Sequence, residues 1–131
     1  MRILIVDDDY ICRVRLMTIF SAYGQCDNAP NGEIAIRLFE EADKELVPYA
    51  LIAMDIEMPG MNGTQVVSRM RSIETVLNIH PEKRVKILMV TDNKAIKTVA
   101  DAYADGCDGY ITKPTTPENI KKALGEIGIA V

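Results

Sequence analysis

The sequence lacks the features that mark membrane, secreted and nucleic-acid-binding proteins. No apolar run approaches the roughly 20 residues that cross a bilayer, and the N-terminus lacks the order of a signal peptide. Basic residues are outnumbered, since 15 Lys and Arg stand against 19 Asp and Glu, for a net charge of -4. We therefore expect no membrane insertion and no direct binding to nucleic acid, because no basic stripe is available to neutralise phosphates. A cytoplasmic location follows as an expectation.

Cysteines are also scarce. The three in the chain, Cys12, Cys26 and Cys107, are scattered, odd in number and without the spacing of metal ligands. They predict neither a disulfide framework nor a zinc site, and we interpret them as small buried apolar residues. The remaining composition, 48% hydrophobic and 26% charged, is ordinary for a globular protein. A chain of 131 residues fits one domain, which we predict over residues 1–131.

Short β-branched runs alternate with longer segments of helical period. The predicted strands are Arg2–Val6, Gln25–Ala29, Tyr49–Met54, Val85–Val90 and Gly109–Ile111. The second and fifth are the least apolar, so we place them at the edges of a sheet, while the other three are nearly continuous apolar runs typical of central strands.

Five helices are predicted between and after these strands. Their apolar faces are Cys12, Leu16, Ile19 and Tyr23; Ala35, Leu38, Phe39 and Ala42; Val66, Met70, Ile73 and Leu77; Ile96, Val99, Ala100 and Tyr103; and Ile120, Ala123, Leu124 and Ile127. Strict alternation of strand and helix implies an α/β fold, with a parallel sheet doubly wound by helices on both faces.

Polar residues follow the predicted strands at the edge where such folds place their sites. Asp7 and Asp8 follow the first strand, and Asp55 follows the third. Thr91 follows the fourth strand and Lys113 the fifth. Three carboxylates, a hydroxyl and an ammonium at one edge suit a magnesium ion, which prefers oxygen ligands, together with a phosphoryl group.

Four blocks, ILIVDDDYICR, LIAMDIEMPGMNG, ILMVTDN and GYITKP, together resemble the receiver domain of two-component response regulators. The resemblance covers essentially the whole chain. It implies a flavodoxin-like fold with five parallel strands in the order 2-1-3-4-5 and five helices.

The resemblance also implies roles for particular residues. Asp55 matches the phosphoacceptor, and Lys113, followed by a cis bond to Pro114, matches the lysine that reaches the phosphoryl oxygens. Asp8, Asp55 and the backbone carbonyl of Glu57 match the direct magnesium ligands, and Asp7 matches the acid that holds the ion through water; Mn2+ is a possible substitute. Thr91 and Tyr110 match the residues that switch together after phosphorylation.

The same resemblance implies partners rather than an ordinary enzymatic activity. The expected phosphodonor is a sensor histidine kinase or a histidine phosphotransfer protein, and the chain promotes its own phosphorylation and dephosphorylation. Output is expected through a downstream protein target that contacts the fourth helix, fifth strand and fifth helix.

Two alternatives stay open on the sequence. A haloacid-dehalogenase-like phosphatase would use Asp7 as nucleophile and Asp9 as acid, and would leave Asp55 without a role. A non-phosphorylated receiver-like interaction module is the other, and Asp92, where the family usually carries a small residue, is its only support. Otherwise we interpret Asp9 as a solvated acid in the first turn of a helix.

The remaining positions of interest either border the predicted site or lie away from it. Glu57 and Asn93 match variable positions near the phosphoryl group, so they leave the lifetime of the phosphorylated state open. We expect His80 to face solvent and residues Glu74–Arg84 to form a polar loop. Met54, Met58, Met61 and Met89 are expected to fill the core or the wall of the site.

Overall fold

The chain folds as alternating strands and helices, as the hydrophobic pattern predicts. The computed structural model describes residues 1–92 and 96–130, with the side chains of residues 96–99 outside that description. The elements are β1 (Arg2–Val6), α1 (Tyr10–Phe20), β2 (Gln25–Ala29), α2 (Gly32–Lys44), β3 (Leu51–Asp55), α3 (Gly63–Val76), a 3-10 turn (Pro81–Lys83), β4 (Lys86–Thr91), α4 (Ile96–Ala104), β5 (Gly109–Thr112) and α5 (Pro117–Glu126).

All five strands form one parallel sheet in the order β2-β1-β3-β4-β5. The two strands with the weakest apolar pattern, β2 and β5, are its edges, as expected. The chain crosses from one side of the sheet to the other between β1 and β3. This reversal of strand order opens a crevice at the carboxyl ends of these two strands.

Alternate residues of the central strands face opposite sides of the sheet and feed two apolar cores. Leu4, Ile52 and Met89 pack with α2 and α3, whereas Ile5, Ala53 and Val90 pack with α1 and α5. All six of these side chains are fully buried. Helices on both faces explain why the central strands read as continuous apolar runs.

Polar caps fix where several helices begin. Asn31 and Asn62 accept backbone N–H bonds at the start of α2 and α3, and Gln65 completes a capping box with Asn62. Thr116 caps α5, whose first residue is Pro117. Asp9 is exposed, but it is the N-cap of α1 and accepts bonds from the N–H groups of Ile11 and Cys12. The prediction of a first-turn position for Asp9 was therefore wrong by one step along the chain.

Several predicted boundaries shift by a few residues. Tyr49 lies before β3, where its hydroxyl donates a 2.7 Å hydrogen bond to Asp27. Val85 lies before β4, because its N–H donates to the Glu74 carboxylate rather than to a strand. Tyr23 lies beyond the end of α1, in a turn closed by its N–H bond to Phe20. Of the predicted face of α4, Ile96 and Val99 have side chains outside the described part.

The prediction of a polar loop from Glu74 to Arg84 was wrong at its start. Glu74 belongs to α3 and is 1% exposed, since its carboxylate bonds Arg71 at 2.7 Å and the N–H of Val85 at 2.9 Å. His80 is exposed, as expected, and caps the 3-10 turn. Of the helices in the described part of the chain, none is long and apolar enough to cross a membrane.

Candidate functional site

Three carboxylates meet in the crevice between β1 and β3. Asp7 and Asp8 directly follow β1, and Asp55 is the last residue of β3. One carboxylate oxygen from each of the three lies within 4.8 Å of the other two. Asp7 and Asp55 are buried, whereas Asp8 is exposed. The apolar strands thus deliver acids to one point, as their sequence positions predict.

Asp7 is completely buried, and each of its carboxylate oxygens accepts a hydrogen bond. Its Oδ1 accepts from the N–H of Asp9 at 2.9 Å, and its Oδ2 accepts from Lys113 Nζ at 3.2 Å. The Asp7 backbone is fixed as well, because the Arg13 guanidinium donates to its carbonyl at 2.8 Å. No sequence pattern indicates this role of Arg13, because the contact depends on how α1 packs against the loop that carries Asp7.

Asp55 is 5% exposed and carries an unusual charge environment. Burial raises the pKa of its carboxyl to about 7, and repulsion from Asp7 adds to the rise. Lys113 Nζ, 3.9 Å from Asp55 Oδ2, and the Glu57 N–H bond of 3.2 Å to Oδ1 act in the opposite direction. The net rise means that burial and the neighbouring acid together outweigh the Lys113 ammonium and the Glu57 N–H.

Lys113 directly follows β5 and reaches into the same pocket. Its N–H donates a 2.8 Å bond to the Thr91 carbonyl, and the bond from Lys113 to Pro114 is cis, as expected. Burial acts to lower the pKa of the ammonium, but the carboxylates of Asp55 and Asp7 outweigh it and leave the pKa above its usual value. Lys113 is therefore a fixed cation beside two acids.

The two predicted switch residues lie in different environments. Thr91 is the last residue of β4 and is fully buried. Tyr110, on β5, is 41% exposed and packs edge-on against Tyr103 of α4, with ring centroids 6.1 Å apart. The Tyr110 side chain therefore points outward in this structure.

Some residues near the site differ from what their sequence positions suggested. Cys12 is only partly buried, and its Sγ lies 3.8 Å from Lys113 Nζ. Asp92 is exposed and lines a cavity of about 370 Å3 with Cys12 and Lys113. Asn93 lies outside the described residues. Met54 and Met89 are fully buried, Met58 nearly so, and Met61 packs against the same core, as predicted.

Gly63 is a positioning residue whose role the sequence did not reveal. A Cβ built on it would lie 2.2 Å from the Asp55 carbonyl oxygen and 2.8 Å from Ile56 Cα. Its N–H donates a 2.8 Å bond to the Ile56 carbonyl. The start of α3 therefore packs directly on the backbone that carries Asp55, and only glycine permits this approach.

The residues present fit a hard divalent cation. Oxygen atoms are the only donors in the cluster, one acid is open to solvent, and the buried Asp55 has a raised pKa. A bound cation would reduce the repulsion among the three carboxylates. Magnesium commonly binds through a few carboxylates while it keeps several waters, which matches one exposed and two buried acids.

Comparison with known proteins identifies the family of this chain. The family model for the response regulator receiver domain matches residues 3–125. The chain is 34% identical over 114 residues to the regulatory protein AtoC of Escherichia coli, covering 86% of this chain and 22% of AtoC. It is 29% identical over 128 residues to the chemotaxis protein CheY of Thermotoga maritima, covering 96% of each. The chain thus spans about a fifth of the first relative and nearly all of the second.

Solved structures show the same fold. The receiver domain of the histidine kinase CKI1 from Arabidopsis thaliana, complexed with Mg2+ and BeF3-, superposes with a TM-score of 0.82 at 21% identity, covering 96% of this chain and 88% of that one. The receiver domain of Ssk1 from Saccharomyces cerevisiae, crystallised with the histidine phosphotransfer protein Ypd1, gives 0.79 at 24% identity, covering 95% and 86%. This chain belongs to the response regulator receiver domain family, a family of phosphoaccepting signalling modules rather than ordinary enzymes.

Proposed function

We propose that Asp55 accepts the phosphoryl group and that residues 1–131 act as one receiver domain. The observation that carries this proposal is the position of the Asp55 carboxylate, between the acids Asp7 and Asp8 and the ammonium of Lys113. Attack by an Asp55 oxygen forms a P–O bond as the phosphohistidine P–N bond breaks. The electron pair of the broken bond leaves with the imidazole.

We propose that Mg2+, for which Mn2+ can substitute, binds beside Asp55. Asp8, Asp55 and the backbone carbonyl of Glu57 would be direct ligands, and Asp7 would hold the ion through water. The ion supplies charge neutralisation for the incoming phosphoryl group. The Mg2+ complex of the similar CKI1 receiver and the oxygen donors gathered here support this assignment.

The chain's own residues then favour phosphorylation and the later loss of the phosphoryl group. Asp55 must lose its proton to become a nucleophile, and Lys113 stabilises the carboxylate form. After transfer, Lys113 pairs with phosphoryl oxygens, and its present contacts with the carboxylates of Asp7 and Asp55 support this role. Glu57 and Asn93, at the variable positions, are assigned to tuning the lifetime of the phosphorylated state.

The phosphoryl group carries about 1.5 to 2 negative charges, while Asp55 loses its own carboxylate charge when the acyl phosphate forms, so the negative charge moves outward onto the phosphoryl oxygens. We propose that the Thr91 hydroxyl turns toward this charge and that Tyr110 moves inward from its exposed position. The edge-on contact between Tyr110 and Tyr103 would then break. The surface of α4, β5 and α5 would differ between the two states, and a downstream protein target would read that difference.

A phosphohistidine-bearing protein is the proposed donor, either a sensor kinase or a phosphotransfer protein. The complex of the similar Ssk1 receiver with Ypd1 supports the second kind. The first turns of α1 border the acidic pocket and expose three apolar side chains, Tyr10, Ile11 and Val14. Such a patch beside a reactive carboxylate suits a protein donor. We therefore propose that the domain works in the cytoplasm.

The phosphatase alternative is not favoured. Asp9 would have to act as its acid, yet Asp9 Oδ1 accepts the N–H groups of Ile11 at 2.8 Å and Cys12 at 3.1 Å. Asp55 would have no role despite its place in the pocket. The interaction-module alternative is weakened because the three acids and Lys113 are all present and gathered.

Intact mass measurement with peptide mapping tests the proposal. The protein is incubated with acetyl phosphate and Mg2+, beside an Asp55→Asn variant and a sample with EDTA. We expect one phosphoryl adduct on Asp55 that is absent from the variant and from the EDTA sample. An adduct on Asp7 would support the phosphatase instead. If acetyl phosphate and a phosphohistidine donor both left the protein unmodified, the interaction module would replace the proposal.

A further inference from the structure

An apolar groove lies between α2 and α3, away from the acidic pocket. We name it the α2–α3 groove; it is formed by Asp43 and Lys44 of α2 and by Arg69, Ile73, Val76 and Leu77 of α3 and its end. Its volume is about 390 Å3, within the range of binding cavities. Glu74 joins this end of α3 to Val85 at the start of β4. The groove therefore lies toward the amino ends of the strands, whereas Asp55 lies at the carboxyl end of β3.

The apolar side chains at the α3 end of the groove are largely exposed. Val76 is 82% exposed and Leu77 is 52% exposed. Leu46, two residues beyond α2 and not part of the groove lining, is 86% exposed. A small molecule held in the groove would leave Leu46 and much of Val76 in water. A protein segment laid along the two helix ends would cover them.

Asp43 shows what charge that segment should carry. Its Oδ2 is buried and has no hydrogen-bond partner among the described residues. Burial and the nearby Glu74 both raise the pKa of this carboxyl. Glu74 is already paired with Arg71, whereas no cation is paired with Asp43 within residues 1–92 and 96–130. A buried acceptor without a partner costs free energy, and a cation placed beside Asp43 in the groove would stabilise the negative charge of its carboxylate.

We propose that the α2–α3 groove binds a segment of a partner protein that places an aliphatic side chain against Ile73 and Val76 and a Lys or Arg beside Asp43. Lys44 and Arg69 at the rim would meet acidic residues on the same segment. This contact is separate from phosphorylation and does not depend on it.

Selection from a phage-displayed library of random 12-residue peptides tests the proposal. We expect enrichment of peptides that carry an aliphatic residue next to Lys or Arg. A selected peptide, synthesised with a fluorophore, is then titrated by fluorescence polarisation. The Asp43→Asn variant should weaken its binding about tenfold, as loss of a charged hydrogen bond does. Val76→Asp, on a side chain that is mostly exposed, should abolish binding without a change in folding.

Glu41→Gln is the matched control, because it removes the same charge from the same helix on the side that lines a different cavity. It should leave peptide binding unchanged. Asp43→Asn should unfold at a temperature equal to or above that of the wild type, since it removes a carboxylate without a partner. Peptides that bind Asp43→Asn as well as the wild type, or no enrichment, would overturn the proposal. Self-association of the wild type that is lost in Val76→Asp would also overturn it, because the occupant of the groove would then be a second copy of this chain.

Discussion

At the scale of single residues, the ionised form of Asp55 lowers the stability of the folded protein, because its carboxylate is buried beside Asp7. Its pKa of about 7 in the folded protein, against 3.8 ordinarily, means that the folded state binds this proton more tightly than the unfolded state. The contribution of Asp55 to the free energy of unfolding is therefore highest at low pH, where Asp55 is protonated in both states. It decreases as pH rises from about 4 through about 7. A reactive group is thus kept at the expense of stability.

Replacing Asp55 by Asn should remove this loss. In EDTA at pH 7.5, we expect Asp55→Asn to be more stable than the wild type by about 1 to 3 kcal/mol. At pH 4 the difference should nearly vanish. Urea unfolding at the two pH values measures it, with the exposed Asp101 changed to Asn as a control that should move stability by less than about 0.5 kcal/mol. A variant less stable than the wild type at pH 7.5 would contradict the charge argument.

Lys113 is the only cation paired with the acids of the pocket among the described ion pairs. We expect Lys113→Ala to keep the fold and to accept phosphoryl groups, but to lose most of the change in partner affinity or Tyr110 environment that phosphorylation causes. Thr91→Ala should behave similarly, because the hydroxyl is the proposed sensor of the new charge.

Tyrosine fluorescence of each variant, with and without BeF3- and Mg2+ in place of the phosphoryl group, measures the response. The Lys83→Ala variant, at an exposed position of the 3-10 turn, is the control for loss of a lysine. A full fluorescence change in Lys113→Ala or Thr91→Ala would rule out the proposed switch.

At the scale of elements, the start of α3 fixes the end of β3. Because a Cβ on Gly63 would meet the Asp55 carbonyl oxygen at 2.2 Å, Gly63→Ala must displace one of the two backbones. We expect a loss of about 1 to 3 kcal/mol in stability and a rate of phosphorylation from acetyl phosphate reduced by about tenfold or more.

Gly125→Ala in α5 is the matched control for that variant. A Cβ there meets nothing within 4 Å, so the change should stabilise the protein by about 0.5 to 1 kcal/mol and leave phosphorylation unchanged. Mass spectrometry over time gives the rates, and urea unfolding gives the stabilities. Normal phosphorylation of Gly63→Ala would show that the close approach does not position Asp55.

Arg71 joins three elements at the other end of the sheet. Its guanidinium bonds Glu74 at 2.7 Å, the Val85 carbonyl at 2.8 Å and Asp108 at 2.9 Å. It also donates to the carbonyl of Gly106. Helix α3 is thereby tied to the start of β4 and to the turn before β5.

Removing the guanidinium would leave Glu74 buried without its cation. We expect Arg71→Met to lose about 3 to 5 kcal/mol of stability, measured by urea unfolding. Adding Glu74→Gln should recover part of the loss, since the neutral amide still accepts the Val85 N–H bond. Arg69→Met, on an exposed residue of the same helix, should cost less than about 0.5 kcal/mol. A similar loss in both single variants would show that the network contributes little.

At the scale of the whole molecule, a cation that binds only the folded state must raise the unfolding temperature. We expect Mg2+ at millimolar concentration to raise the Tm of the wild type by several degrees. Asp8→Asn should remove most of this rise. Asp9→Asn is the control, because Asn serves as an N-cap as well as Asp and the charge change is the same. Equal responses of the two variants would mean that the ion does not bind at Asp8.

Local patterns in the sequence were enough to predict the strands, the sheet's edges and the acids at the crevice. The apolar runs of the first and third strands each end at an acid, so Asp7, Asp8 and Asp55 could be placed at strand ends before any contact was known. The caps at Asn31 and Asn62 are equally local, since each bonds a backbone group within three residues.

Only the tertiary structure decided the features that depend on contacts between distant parts of the chain. Glu74 looked like a loop residue because its partners, Arg71 on the turn before it and Val85 beyond the loop, give no periodic signal. The close approach of Gly63 to Asp55, the unpartnered oxygen of Asp43 and the raised pKa of Asp55 arise in the same way. Burial and charge pairing depend on which side chains the fold brings together, whereas hydrophobic periodicity records only which face of an element turns inward.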